Sequence, residues 1–214
     1  MSNTDRLFDS IFATLQMTLW SGAVMFILGM LLGIVLTVTK EGGILRQRIV
    51  HQILDKIINV CRSVPFVIFI AILLPVTKAI MGTKIGVRGV IVPLVVASVP
   101  FFARQVETAL ANVSGGLIEA AQAMGKSPLE IIFTVYLRES IPAIARGTTI
   151  TLINLIGLTA MAGYVGAGGL GDYAITWGYN YGHYDIIWVS VLFVILIVSI
   201  IQFIGNIIAK KFTH

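Results

Sequence analysis

Along this chain long apolar runs alternate with short charged segments. Residues 10–39, 63–77, 89–103, 147–171 and 186–209 contain no Asp, Glu, Lys or Arg. A helix needs roughly 20 apolar residues to cross a bilayer's hydrocarbon core, so the first, fourth and fifth runs suffice by themselves. The second and third are shorter. They cross only if Arg62 and Lys78, and Arg88 and Arg104, extend their alkyl stems toward the headgroups; the alternative for each is a re-entrant or core helix. Backbone polar groups in lipid must be satisfied within the segment, which selects helices. The pattern predicts an all-α integral membrane protein, a single domain over 1–214, with about five transmembrane helices near 18–39, 57–80, 87–110, 143–163 and 186–208. Leu7, Phe8, Ile11 and Leu15 recur at helical spacing, so residues 5–16 are expected to lie along the interface before the first span.

Composition agrees: 57% of residues are hydrophobic, 12% are charged and the mean hydropathy is +0.94, against about 25% charged in ordinary soluble domains. The net charge of +5 is spread over connections rather than gathered in a patch, which argues against nucleic acid. Counted on alternate sides of the predicted spans, eleven Lys and Arg fall on one side and four on the other. The richer side is expected to be cytoplasmic, placing the amino terminus outside and the carboxyl terminus inside a cell (inner) membrane. The first apolar run is too long for a signal peptide and lacks a small-residue cleavage site, so it is expected to remain as an anchor. The single cysteine, Cys61, excludes an intrachain disulfide. His51 and His183 have no metal partners at ligand spacing, and His214 is the last residue.

Residues 111–140 form a connection longer than two helices need. A short helix through Glu119, Ala120 and Ala121 ends at Gly125, a residue suited to the left-handed position after a helix. Ser127, Pro128 and Glu130 then form a capping box with proline at the first helical position. Two short helices around a glycine turn are expected, with a small-residue face, an acidic acceptor and apolar anchors in Leu117, Ile118 and Met124 that suit docking. An amphipathic helix resting on the membrane fits the same residues.

Glu119-Ala120-Ala121, three further residues and Gly125 resemble the EAA loop of ABC importer permeases, the segment that in that family sits in a cleft of the cytoplasmic ATPase. The family pattern usually continues to Ile-x-Leu-Pro; here Val135-Tyr136-Leu137-Arg138 stands at that spacing, with proline only at Pro142, so a helix break is expected four residues later. Arg62-Ser-Val-Pro-Phe66, Ile91-Val-Pro93, Pro100-Phe-Phe-Ala-Arg104, residues 116–121 and 161–171, and Ile201-Gln202-Phe203 look like the permease of methionine importers. That resemblance implies a type I importer permease fold and a homodimer. It also implies two copies of a cytoplasmic ATPase that bind the ATP and Mg, an extracytoplasmic substrate-binding protein, and no cofactor on this chain. It makes Glu119, Ala120, Ala121, Met124 and Gly125 the ATPase-coupling residues and Met161 a pathway-closing methionine.

Import needs helices that line a path and bend. Pro65, Pro75, Pro93 and Pro100 mark places where membrane helices tolerate a freed carbonyl, Pro65 and Pro100 being assigned to the path; static kinks for packing fit equally. Thr148, Thr149, Thr151, Asn154, Gly157 and Thr159 make the fourth span polar without charge, so these side chains are expected to face the interior. Gly29 and Gly33 suit close helix packing. The aromatics between Gly163 and Tyr184 suit either interface anchoring or docking of the binding protein. Alternatives are a permease for another small amino acid or a dipeptide, an ATPase-independent carrier, and an intramembrane enzyme. The last two would need ionisable or catalytic groups inside spans, and the fourth and fifth runs hold none. No Gly-x-x-x-x-Gly-Lys-Ser/Thr run is present to bind ATP.

Overall fold

The computed structural model describes residues 3–212; His214 lies outside them. The first helix, α1, runs unbroken over Asn3–Thr39, about 55 Å at 1.5 Å per residue. The separate interfacial helix expected over residues 5–16 is therefore absent, and those turns simply prolong the span. Tertiary contacts hold them. Oγ1 of Thr14 accepts the backbone N–H of Leu170 at 2.9 Å, and the Arg6 guanidinium lies 3.7 Å over the ring of Trp177, which stacks in turn on Tyr181.

The expected second span is broken. Helix α2 (Arg48–Ser63) and α3 (Phe66–Met81) meet at 109°. The cause is local: a residue before proline is steered out of the helical region, and Val64 is extended at φ −85°, ψ 124° ahead of Pro65. Helix α3 alone reaches about 24 Å, so a fifth crossing is completed only with its bent partner. Helix α2 lies against α4 (Gly86–Ala111). There Arg104 of α4 pairs with Asp55, donates to Asn59 at 2.9 Å and pairs with Glu107 at 2.6 Å. Arg104 is thus an ion-pair anchor rather than a residue reaching for headgroups.

Helix α4 is the hub, packing on α1, α2, α3 and α7. The α1–α4 seam is built on small residues. A Cβ on Gly29 would stand 2.7 Å from the Phe102 ring, and one on Gly33 2.5 Å from Cβ of Val106. With Met25, Val99, Phe102, Val106 and Leu110 buried there, the glycine pair acts in packing as expected. Apolar side chains such as Leu19, Ile72, Trp188 and Leu192 remain exposed around the bundle.

After α5 (Gly115–Ala123) and α6 (Pro128–Ile131) comes one π-helical turn, Ile132–Tyr136, leading directly into α7 (Leu137–Ala162). Helix α7 thus starts ahead of residue 143, where the fourth span is expected to begin. Pro142 lies inside α7 without a break; the irregularity is the widened turn preceding it. Beyond α7 the connection is largely helical: a kinked turn (Gly163–Ala167) in which Val165 and Gly166 leave helical geometry, α8 (Gly169–Asp172) and a π-helical stretch (Tyr173–Tyr179) lead to α9 (Tyr184–Lys211). Glycine permits this fold-back, since a Cβ on Gly171 would sit 2.2 Å from the carbonyl oxygen of Ala160.

Candidate functional site

The expected docking residues sit on an elbow at the α5 end of the bundle. Ala121 is buried in one cluster with Ala109, Leu110, Ile131 and Tyr136, with Ile118 packed on the same cluster. Glu119, Ala120 and Gly125 are exposed, as are Leu117 and, at 69%, Met124. The two alanines therefore divide their work: Ala121 lets α5 approach its own bundle, and only Ala120 offers a small surface outward. Gly125 has φ +76° and donates to the carbonyl of Gln122 at 2.9 Å, while Lys126 N–H donates to the carbonyl of Ala121 at 3.2 Å. The next helix starts as its sequence dictates. Ser127 Oγ accepts from the Glu130 N–H, and a Glu130 carboxylate oxygen accepts from the N–H and Oγ of Ser127 at 2.7 and 2.8 Å.

This elbow is attached to a long lever. Residues 128–162 form a helix of about 50 Å whose one irregular turn lies at Ile132–Tyr136. Ser140 ties it to α4 by donating to the Ala109 carbonyl at 3.1 Å.

Of the expected path residues, the structure brings three together on α7. Asn154, Gly157 and Met161 share one exposed face, Met161 being 45% exposed, with Ile144, Thr151, Leu155, Thr159 and Ala162 buried on the other side. Pro65 stands exposed at the start of α3, at the break. Pro100 does not join them, because it is buried inside α4. Thr151 and Thr159 are buried and Thr148 and Thr149 half-buried, so the threonines face the interior as expected, whereas Asn154 and Gly157 are exposed. Thr148, Thr149, Thr151 and Thr159 donate at 2.7–2.8 Å to carbonyls three or four residues back on their own helix, so their hydroxyls are already occupied.

One feature escaped sequence reasoning. The α2–α3 break opens a cavity of about 360 Å³ lined by Cys61, Arg62, Val64, Phe66, Phe69, Ala97, Phe101, Asn154 and Leu158. It brings Arg62, expected at the headgroups, into one chamber with Asn154 in the middle of α7. Pro65 was the available signal.

A bundle of membrane-length apolar helices with a rigid elbow at one end is the architecture of a membrane transport subunit. The chain belongs to the family of binding-protein-dependent transport system inner membrane components, whose profile matches residues 25–214. It is accordingly a multi-pass inner-membrane permease of an ABC importer. A probable D-methionine transport system permease protein, MetI, of Vibrio cholerae is 44% identical over 99% of this chain and 94% of its own length. The methionine import system permease protein MetP of Bacillus subtilis is 43% identical over 82% of this chain and 79% of its own. Among solved structures, an inward-facing conformation of the MetNI methionine ABC transporter superposes with a TM-score of 0.97 at 39% identity over the whole of both chains.

Proposed function

We propose that this permease imports methionine, as D- or L-isomer or a close analogue. In this reading it works as a homodimer with two copies of a separate ATPase that bind the ATP and Mg, and with an extracytoplasmic binding protein that delivers substrate. The amino terminus is outside and the elbow and carboxyl terminus are cytoplasmic, on the side richer in Lys and Arg.

The observation that carries the mechanism is the outward presentation of Glu119, Ala120 and Met124 on a helix whose inner face, through Ala121, is packed against the start of the lever. Closure of the ATPase displaces α5. Because Ala121 lies in one packed cluster with Ile131 and Tyr136, α6 and α7 follow as a unit; packed cores switch between arrangements rather than deform. The face bearing Asn154, Gly157 and Met161 then moves relative to its symmetry mate. Met161, an unbranched thioether at the far end of that face, closes the path. The chain supplies binding and motion, and the bond chemistry stays with the partner.

Reconstitution of the permease with its ATPase and binding protein in vesicles tests this. Uptake of labelled methionine should require ATP and both partners. Uptake by the permease alone, or a clear preference for a dipeptide or a different amino acid, would overturn the assignment.

A further inference from the structure

The cavity at the α2–α3 break carries a charge the proposed pathway has not yet used. Among the described residues Arg62 makes no ion pair, and the nearest acidic residue on its own helix, Asp55, is engaged by Arg104 of α4. Arg62 is exposed toward the chamber that it lines with Asn154. Asn154 is the other strongly polar side chain on the wall, standing on the exposed face of α7 between turns whose threonines bond back to their own helix. Phe66, the first residue of α3, lines the same space. Phe69, Phe101 and Leu158 add to the lining.

We propose that this chamber is a transient binding site for the transported amino acid, recognising it as a zwitterion with an apolar, sulfur-bearing side chain. Arg62 takes the carboxylate in the planar, two-point geometry that guanidinium favours. The amide oxygen of Asn154 accepts from the ammonium group. The aromatic wall takes the side chain, and sulfur packs well against ring edges. At about 360 Å³ the space is at the small end of ligand pockets, suited to a single amino acid. Its open side and its one cation make for weak, quickly reversible binding, which a conduit requires. This inference rests on the pathway reading above and names the groups that read the substrate within it.

Cys61 supplies the test, because it lines the chamber, is half-buried and is the single cysteine of the chain. The nucleotide-free transporter with its ATPase is treated with a small thiol reagent, and modification of Cys61 is followed by mass spectrometry of this chain. Methionine at about three times its dissociation constant should slow labelling roughly fourfold, in proportion to the unoccupied fraction. The amine that lacks the carboxylate, 3-(methylthio)propylamine, should not protect. Arg62→Gln should remove protection while Cys61 still labels at its unprotected rate, and Arg62→Lys should restore part of it. Equal protection by the amine, undiminished protection in Arg62→Gln, or no protection in a preparation that does transport methionine would overturn the site while leaving the transport reading intact. Failure of that preparation to transport methionine would instead sink the substrate assignment, and the site's ligand with it.

Discussion

Thr14 and Leu170 are joined by a hydrogen bond of 2.9 Å from the backbone N–H of the latter to the hydroxyl oxygen of the former, fastening the start of α1 to the fold-back after α7. Both groups are buried, so the donor has no alternative in water. Thr14→Val keeps the shape and strands that N–H, at a cost of about 1–3 kcal/mol. The purified protein should unfold at a lower temperature than wild type, and Thr14→Ser should recover most of the difference. A valine variant as stable as wild type would show that the bond contributes nothing.

Gly33 in the α1–α4 seam and Gly157 on α7 should respond in opposite ways to one substitution. In Gly33→Ala the new methyl would stand 2.5 Å from Cβ of Val106 and 2.8 Å from the Ala103 carbonyl oxygen, so the helices must separate, costing about 1–3 kcal/mol. Gly157 has open space around it, and Gly157→Ala should leave stability unchanged or raise it by up to about 1 kcal/mol through helix propensity. Thermal unfolding of both variants in one detergent decides it. If they shift alike, the close approach read at Gly33 is wrong.

Arg104 holds α2 across the bundle by its contacts with Asp55 and Asn59. Truncation in Arg104→Ala leaves two carboxylates facing each other without their cation, and breaking a partly buried pair of this kind destabilises. Amide hydrogen exchange over residues 48–63 should speed up roughly tenfold, equivalent to about 1.4 kcal/mol, with exchange in α9 unaltered. Acceleration spread evenly over all helices would mean that Arg104 supports the whole fold rather than the docking of α2.

Much of this was legible in the residues, and the failures have physical causes. Charge-free length alone pointed to the helices α1, α7 and α9, because lipid admits little else. The capping box at Ser127 and the left-handed Gly125 are written locally and appear where their chemistry puts them. The α2–α3 break was readable from Val64-Pro65, but counting apolar length through Arg62 hid it, since a hydrophobicity count is blind to backbone geometry. Nothing local distinguishes an interfacial helix over residues 5–16 from a prolonged α1. That outcome is decided by Leu170 and Trp177, distant in sequence. For the same reason Arg62 and Asn154 could not be placed in one chamber before the break was known.

The elbow gives the last prediction, and its strength lies in the division between neighbouring residues. Glu119 is exposed and belongs to no ion pair among the described residues, so Glu119→Lys should insert, fold and unfold like wild type. If an ATPase cleft receives this helix, the reversed charge removes an acceptor at the centre of a small interface and adds a like-charge clash with the partner's donors, effects worth several kcal/mol at a docking site. Methionine uptake by the reconstituted complex should fall at least about tenfold, corresponding to 1.4 kcal/mol, and ATP hydrolysis should cease to respond to substrate-loaded binding protein. Ala121→Leu should behave in the opposite sense. It inserts bulk beside Ile131 and Tyr136, so it should lower the unfolding temperature before it affects coupling. Were Glu119→Lys to keep substrate-stimulated turnover, or Ala121→Leu to uncouple at undiminished stability, force would have to enter the bundle somewhere other than α5.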